Sequence, residues 1–226
     1  MKVHYGFHGL PPIPSPVVSV GSFDGVHRGH RLLISRLAEI ASENRGESVV
    51  VTFDPHPRQL LRGENRLLTT LEEKLILLAE TELDHVIVVN FTREFSKISA
   101  DEFMDNYLKE RLGAQFFLSG EGHHFGNNRS GNIEAVAQAG LDNQKLIRYD
   151  NISSTAIRDA IEQGDMALAT DMLAGSYLII TPVTDRSKLL PPPGEYVTTL
   201  DGGESATRWV DRNVLDGGEH QLRIFK

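Results

Sequence analysis

The sequence predicts an α/β protein with a Rossmann-like, doubly wound parallel sheet, followed by a small antiparallel β unit. Up to about Gly175, short β-branched or aromatic runs alternate with segments whose apolar residues have helical spacing. This alternation is typical of crossover units on a mostly parallel sheet, in which ligands bind beyond the carboxyl ends of the strands. After Gly175, strand-like runs separated by Gly-Gly pairs indicate antiparallel pairing. We therefore expect a large domain over residues 1–175 and a small unit over residues 176–226.

The individual elements can be read from the same pattern. Strands of the large domain are expected at Val17–Val20, Ser48–Phe53, His85–Asn90, Gln115–Ser119 and Lys145–Arg148. Helices between them are expected around Leu32, Leu33, Leu37 and Ile40, around Leu71, Leu75 and Leu78, and around Phe103, Tyr107 and Leu112. Strands of the small unit are expected at Ser176–Pro182, Glu195–Leu200, Thr207–Val210 and Gln221–Phe225. About 50 residues are marginal for an independent core, so we expect this unit to pack against the larger domain.

Composition excludes several classes of protein. With 226 residues, 40% apolar and 24% charged, the chain has the make-up of a soluble globular protein, and no apolar run has membrane-spanning length. A formal charge of −8 argues against bulk nucleic-acid binding, so a phosphate site has to be a local positive patch. The absence of cysteine excludes disulfides, thiolate nucleophiles and thiolate metal ligands. Because the start of the chain has no secretory pattern, we expect a cytoplasmic protein without membrane or nucleic-acid partners.

The most informative segment is Gly21–His30, GSFDGVHRGH, between a predicted strand and a predicted helix. His27 and His30 lie on the first turn of that helix, where unpaired N–H groups favour phosphate. Gly29 between them allows a nucleotide to approach the backbone, and both imidazoles, which we expect to be partly exposed, can donate to an α-phosphate under attack. A structural histidine pair or a metal site is the plainer alternative. Asp24 either caps its own turn or orients a ligand.

A second candidate segment is Ile152–Arg158, ISSTAIR, at the start of another predicted helix. The hydroxyls of Ser153, Ser154 and Thr155 supply an N-cap and leave spare groups, and Arg158 follows one turn later. Hydroxyls and a guanidinium at a helix start favour binding of a polyphosphate. The alternative is an ordinary N-cap with a surface arginine.

Two further loops are expected at the same edge of the sheet. In Phe53–Pro57, FDPHP, two prolines fix the backbone and can hold His56 against a ligand, although a rigid turn with an incidental histidine fits nearly as well. The Gly120–Gly131 loop contains His123 and His124 and runs through Arg129. A metal site there lacks a third ligand, so no metal-ligating residues are predicted. The P-loop and dinucleotide-binding glycine motifs are absent.

Taken together, these motifs resemble the adenylyltransferase module of the bifunctional riboflavin kinase/FMN adenylyltransferase (prokaryotic FAD synthetase) family. The resemblance runs in order from Pro16 to Leu178, through VVSVGSFDGVHRGHRLLI, VVTFDPHPRQLL, RLLTTLEEKLILL, ISADEFMDNYL, FFLSGEGHHFGNNRSGN and ISSTAIRDAIEQGDMALATDML. It implies an HxGH nucleotidyltransferase that makes FAD from FMN and ATP with Mg²⁺, releasing pyrophosphate.

The resemblance also implies roles for individual residues. His27, His30 and Arg158 are implied as the catalytic set. The implied ATP-binding and phosphate-binding residues are Gly21, Ser22, Phe23, Asp24, Gly29, Ser153, Ser154 and Thr155. The implied flavin-binding residues are Phe53, Pro55, His56, Pro57, His123, Phe125 and Arg129.

The chain departs from the family pattern at two places. Gly122 stands where the family's G-x-D/N-x-x-F-G loop has Asp or Asn, so activity is expected to be reduced. The PTAN motif of the riboflavin kinase is absent after Gly175, with LLPPPGEYVTTL as a shortened remnant, so kinase activity is expected to be lost. Two alternatives follow: a flavin-binding or adenine-nucleotide-binding protein with negligible turnover, and an HxGH nucleotidyltransferase with a phosphopantetheine, nicotinate mononucleotide or CTP-dependent substrate.

Overall fold

A computed structural model describes residues 1–121, 124–127, 130–147 and 152–225. The strands are β1 (Lys2–Tyr5), β2 (Val17–Val20), β3 (Ser48–Asp54), β4 (His85–Asn90), β5 (Phe116–Gly120), β6 (Asp142–Leu146), β7 (Tyr177–Thr181), β8 (Gly194–Leu200), β9 (Ala206–Val210) and β10 (His220–Ile224). The helices are α1 (Arg28–Glu43), α2 (Pro57–Arg62), α3 (Leu71–Ala79), α4 (Ala100–Glu102), α5 (Ile133–Gln138), α6 (Ser154–Glu162), α7 (Met166–Leu173) and α8 (Arg212–Leu215).

Across the described chain, strands β1 to β6 form one parallel sheet in the order β1-β4-β3-β2-β5-β6. The predicted α/β class with a parallel sheet is therefore confirmed. Strands β2 and β4 are almost continuously apolar and are buried along most of their length, as expected for a sheet covered on both faces.

Two strands differ from the prediction. The first strand, β1, was not predicted, and it pairs in parallel with β4 through Lys2 opposite His85. The last one, β6, begins at Asp142 rather than Lys145, and Arg148 lies outside the described residues. Its polar sequence, DNQKL, suits an edge strand and carries no β-branched signal.

The helix expected around Phe103 and Tyr107 has an unusual form. The short helix α4 starts at the N-cap Ser99 and continues into a nine-residue π-helix, Phe103–Arg111. π-Helices are rare, and the short ones that occur inside α-helices are frequently found at functional sites.

The first compact unit comprises residues 1–23, 30–63 and 78–147 within the described chain, and it contains the parallel sheet. Its core joins strand residues such as Val18, Val49 and Ile87 to Phe103 and Leu108 of the π-helix. The sheet and this helix therefore share one apolar core.

The second compact unit comprises residues 24–29, 64–77 and the described residues from 152 on. Its antiparallel sheet has the order β7-β10-β8-β9, which confirms the predicted β unit. The division differs from a boundary at Gly175, because Ile157 and Ile161 of α6 and Met166 of α7 are buried in one core with Tyr177 and Ile224 of this sheet. Within the described residues, no helix is long and apolar enough to cross a membrane.

Candidate functional site

The first unit contains an aromatic cavity of about 550 Å³. Its lining residues are Val20, Gly21, Ser22, Phe53, Pro57, Leu61, Phe91, Phe95, Ser96, Ile98, Phe103, His124, Phe125, Gly126 and Asn127. The volume is in the range of small-molecule sites, and the wall is mainly apolar with a few polar groups. The cavity therefore suits a flat, largely apolar ring system with polar substituents.

The cavity lies at the carboxyl ends of three neighbouring strands. Gly21 follows β2, Phe53 is close to the end of β3, and Phe91 follows β4. Parallel α/β sheets bind their ligands at this edge. Residues from each of the three loops expected at this edge line the cavity, namely Gly21 and Ser22, Pro57, and Phe125, together with Phe53 of β3.

Phenylalanine rings pack edge-on around the cavity. The centroid of Phe91 is 5.4 Å from that of Phe53 and 5.8 Å from that of Phe95. Phe95 is in turn 6.0 Å from Phe103, the first residue of the π-helix. Edge-to-face contacts of this kind are favourable and orient the rings. The π-helix thus contributes its first residue, Phe103, to the cavity wall.

Sequence reasoning missed several lining residues, including Phe91, Phe95 and Phe103. A signal was present for Phe91, because it directly follows a predicted strand at the ligand-binding edge. No comparable signal marked Phe95, which lies in a short 3₁₀ helix (Phe95–Lys97).

The other residues predicted to bind flavin are Pro55, His56, His123 and Arg129. His56 is buried and is the N-cap of α2, where its Nδ1 accepts a hydrogen bond from the Arg58 backbone N–H. The rigid-turn interpretation therefore describes His56 well, and neither His56 nor Pro55 is part of the cavity wall. The predictions at Gly122, His123 and Arg129 lie outside the described residues.

The part of the Gly21–His30 segment that belongs to the first unit is anchored to β3. The Gly21 N–H donates to Val51 O at 2.9 Å, and Thr52 Oγ1 donates to Ser22 O at 3.2 Å. Phe23 has a φ of +48°, which is unusual for a bulky residue, and its ring centroid is 5.1 Å from that of His30. His30 lies in the first turn of α1, as predicted.

The remainder of this segment, residues 24–29, belongs to the second unit and includes a second strained residue. Val26 is fully buried and has a φ of +40°, an outlier for a β-branched side chain. Such strain persists only where surrounding contacts impose it, and it concentrates at functional sites.

His27 is 7% exposed, so the expectation of partial exposure is wrong for this residue. Its ring lies against Gly29, where an added Cβ would be 3.3 Å from His27 Cε1. The glycine of the HxGH motif therefore makes room for the first histidine, in addition to the nucleotide approach that we predicted for it. The side chain gains this space from the missing Cβ.

Asp24 joins three segments of the second unit. Its carboxylate accepts hydrogen bonds from the backbone N–H groups of Leu68 and Thr69, from Thr69 Oγ1, and from Arg158 Nη2. The residue is 2% exposed. Asp24 does not cap its own turn, because all of these donors come from elsewhere in the chain. It is also not an open group that could orient a ligand, because it is buried.

The start of α6 contains the predicted hydroxyl groups in different roles. Ser153 is the N-cap, with its Oγ accepting from the Ala156 N–H at 3.1 Å, so the predicted cap is confirmed. Ser154 Oγ donates to Asp24 O at 3.1 Å, and Thr155 is exposed on the first turn. Of the three residues, Thr155 is the most exposed to solvent.

Arg158 points inward rather than toward a surface. Its side chain is 4% exposed, and besides Asp24 its Nε donates to Arg66 O at 2.6 Å. The surface-arginine alternative is therefore wrong. These contacts use Nε and Nη2, and little of the side chain is left exposed for a direct contact with ligand phosphates.

The described residues contain no group of three or more His, Cys, Asp or Glu side chains that could hold a metal ion. A family model described as FAD synthetase matches residues 13–158, about two thirds of the chain. The chain belongs to the FAD synthetase family. The matched segment includes the Gly21–His30 loop, the cavity-lining residues and the first turns of α6.

Similar proteins agree with this assignment. The chain is 34% identical to the bifunctional riboflavin kinase/FMN adenylyltransferase of Buchnera aphidicola subsp. Schizaphis graminum, covering 84% of this chain and 64% of that protein. It is also 34% identical to the protein of the same name from Escherichia coli strain K12, covering 79% of this chain and 61% of that protein. The chain thus spans about three fifths of these relatives' lengths.

A solved structure shares the fold. A crystal structure titled macrolide-efflux protein from Streptococcus pneumoniae superposes with a TM-score of 0.82 at 21% identity, covering all of this chain and 84% of that one. At this identity the likeness shows a shared fold.

Proposed function

We propose that this protein is an FMN adenylyltransferase, which transfers the adenylyl group of ATP to FMN and forms FAD and pyrophosphate. The observation that carries the proposal is the composition of one cavity wall. Gly21 and Ser22, which begin the HxGH loop, line the same cavity as Phe53, Phe91 and Phe125. A phosphate-directed loop and an aromatic wall in one cavity fit a flavin that carries a phosphate group.

The aromatic wall is suited to the isoalloxazine ring. Five phenylalanines line the cavity, namely Phe53, Phe91, Phe95, Phe103 and Phe125. Ring systems gain both apolar burial and favourable edge or stacking geometry in such surroundings. Ser96, Gly126 and Asn127 add polar groups to the lining of the cavity. We assign Phe53, Pro57 and Phe125 to flavin binding on this basis.

The reaction that we propose needs positioning and charge stabilisation. A phosphate oxygen of FMN attacks the α-phosphorus of ATP, the new P–O bond forms, and the bond to the β-phosphate breaks so that pyrophosphate leaves. His27 and His30, at the N-terminal end of α1, donate N–H groups to phosphoryl oxygens that gain charge during transfer. Gly21, Ser22, Phe23 and Gly29 shape the backbone to which the triphosphate binds.

The residues around α6 have two different roles in this proposal. Thr155 offers an exposed hydroxyl to the outer phosphates, with Ser153 and Ser154 supporting the helix start. Asp24 and Arg158 act as positioning residues, because their side chains are buried against each other. Mg²⁺ belongs to this scheme as part of the Mg-ATP substrate and leaves with pyrophosphate.

The C-terminal β sheet is proposed to have no riboflavin kinase activity. The family's PTAN motif is absent from the sequence, and a proline run, Pro191–Pro193, lies between β7 and β8. Incubation with riboflavin and Mg-ATP is expected to give no FMN.

The test is to incubate the purified chain with Mg-ATP and FMN and to separate the flavins by chromatography. FAD and pyrophosphate are expected to accumulate in equal amounts, and neither should form when FMN is omitted. Binding of ATP and FMN without FAD above the blank would refute the enzyme assignment. Competition by nicotinate mononucleotide or phosphopantetheine, with turnover of either one, would instead identify a different acceptor.

A further inference from the structure

A buried lysine in the second unit contacts three separate segments. Lys188 Nζ donates to Leu68 O at 2.6 Å, to Glu73 Oε2 at 2.8 Å and to Leu178 O at 2.9 Å. The side chains of Lys188 and Glu73 are 0% and 1% exposed. An ammonium group has three N–H donors, and each of them has an acceptor here. Burial lowers the pKa of Lys188, whereas the Glu73 carboxylate acts in the opposite direction.

Glu73 ties the start of α3 to the antiparallel sheet. Its Oε2 accepts from the Thr70 N–H at 2.8 Å, and its Oε1 accepts from the Ile180 N–H of β7 at 2.9 Å. Two backbone donors and the Lys188 ammonium therefore satisfy a carboxylate that would be very unfavourable if it were buried alone.

Residues 66–70 form hydrogen bonds with two other segments of the second unit. On one side they bond to the Ser187–Leu189 segment, with the Leu67 N–H donating to Ser187 O and the Leu189 N–H donating to Leu67 O, both at 2.8 Å. On the other side the N–H groups of Leu68 and Thr69 donate to the Asp24 carboxylate. One short segment thus joins the Lys188 site to the HxGH loop.

The HxGH loop, to which residues 68 and 69 bond, includes His27. The Gly25 N–H donates to Thr69 Oγ1 at 3.1 Å, and the strained Val26 follows directly. A residue with positive φ needs surrounding contacts to keep it there. The contacts of Asp24 and Gly25 with residues 68 and 69 lie immediately before this strained position.

We propose that Lys188 is a positioning residue for His27, acting through Leu68, Thr69 and Asp24. The C-terminal part of the chain thereby contributes to the geometry of the HxGH loop, beyond a role as a remnant of another domain. The consequence for turnover rests on the proposed adenylyl transfer, whereas the consequence for the loop does not.

The test compares the parent with the double variant Lys188→Met/Glu73→Gln. The single variant Lys188→Met leaves a buried unpaired carboxylate and is expected to unfold readily, whereas the double variant removes both charges at similar volume. Hydrogen exchange at the amides of Gly25, Leu68 and Thr69 is expected to accelerate about tenfold, because the hydrogen bonds that hold their segment are weakened. Exchange at Leu222 and Ile224 in β10 is expected to stay as in the parent.

A second readout follows His27 itself without requiring activity. Carbethoxylation of the buried His27 ring, followed by mass spectrometry, is expected to be about tenfold faster in the double variant, because local opening of the loop exposes the ring. Tyr196→Phe is the matched control, since it removes the hydrogen bond from the Tyr196 hydroxyl to Pro192 O in the same unit without touching residues 66–70. Both rates should be unchanged in this control.

The kinetic readout separates positioning from substrate binding. In the double variant kcat for FAD formation is expected to fall about tenfold with KM for ATP within about twofold, and Lys188→Arg, which keeps the donors, should recover part of the loss. The proposal would be overturned if the double variant kept the parental rates of hydrogen exchange and of His27 carbethoxylation. It would also be overturned if exchange in β10 accelerated equally, or if kcat stayed at the parental value although the loop exchanged faster. If the parent makes no FAD, the proposed function fails, and the exchange and modification rates still decide whether Lys188 holds His27.

Discussion

The Arg158 guanidinium and the Asp24 carboxylate form an ion pair that is almost completely buried, with side chains 4% and 3% exposed. The two residues are 134 positions apart in the sequence. Their contact fixes the start of the HxGH loop to α6, the helix that begins with the Ser-Ser-Thr sequence. In each of the two motifs, one charged side chain thus holds the backbone of residues 66–69.

We expect Arg158→Met to destabilise the chain by about 3–5 kcal/mol, because the substitution leaves Asp24 buried without its cation. The free energy of unfolding from urea titrations checks this value. Arg212→Met is the control, since Arg212 forms an exposed pair with Asp216 in the same unit, and we expect a change of about 0.5 kcal/mol or less. A loss below about 1 kcal/mol for Arg158→Met would contradict a structural role for the pair.

We expect Gly29→Ala to reduce FAD formation about tenfold while changing stability by no more than about 1 kcal/mol. The added Cβ would lie 3.3 Å from His27 Cε1, so the ring has to shift by a few tenths of an ångström, and small misplacements of a donor are costly in rate. Alanine is otherwise favourable in a helix. Gly175→Ala serves as the control, because no atom lies within 4 Å of its added Cβ. Equal turnover of Gly29→Ala and the parent would speak against the role of His27.

We expect Phe95→Ala to weaken FMN binding about tenfold, equivalent to about 1.4 kcal/mol, by removing an aromatic part of the cavity wall. Quenching of flavin fluorescence on titration measures the affinity, and KM for ATP should remain close to that of the parent. Phe7→Leu is a suitable control, since Phe7 packs against Phe103 with ring centroids 6.4 Å apart and is not part of the cavity wall. If both variants bound FMN as the parent does, the flavin would have to bind elsewhere.

We expect the stability of the chain to fall as the pH falls below 6.5, in part through His4. His4 Nε2 lies 2.9 Å from His85 Nδ1, and His85 Nε2 lies 2.6 Å from Glu47 Oε2. Burial, together with the His85 and Lys2 charges, lowers the pKa of His4 below its ordinary value of 6.5. The unfolded chain therefore takes up the proton more readily than the folded chain.

The sign of this effect follows from proton linkage. Stability from His4 is present above pH 6.5 and is lost as the pH falls through the lowered pKa. Urea midpoints measured over this pH range should fall less steeply for His4→Gln than for the parent, whereas His8→Gln, at an exposed histidine, should follow the parent. Parallel curves for His4→Gln and the parent would show that His4 does not contribute.

Much of the fold follows from local sequence patterns. The β-branched runs at Val17–Val20 and His85–Asn90 identify buried parallel strands, and Gly pairs mark turns of the antiparallel sheet. The two edge strands are harder to predict from the sequence. Strand β1 (Lys2–Tyr5) pairs with residues more than 80 positions away, and the polar strand β6 lacks a β-branched pattern. Pairing of this kind depends on tertiary context rather than local propensity.

The candidate site was predictable only in part. The positions of the HxGH loop, Phe53 and Phe125 follow from motifs and from the rule that ligands bind beyond the strand ends. The partners of Asp24 and Lys188 could not be predicted, because Thr69 is 45 residues from Asp24 and Glu73 is 115 residues from Lys188. Only the folded chain brings these charges together.

The most direct measure of adenylyl transfer is the fate of the α-phosphorus of ATP. With ATP labelled at this atom, Mg²⁺ and FMN, we predict that the label enters FAD in the parent and that His27→Ala and His30→Ala each reduce the rate about 10²–10³-fold, while His8→Ala retains the parental rate. Absence of label from FAD in the parent, or less than about a threefold loss in both histidine variants, would contradict adenylyl transfer by this loop.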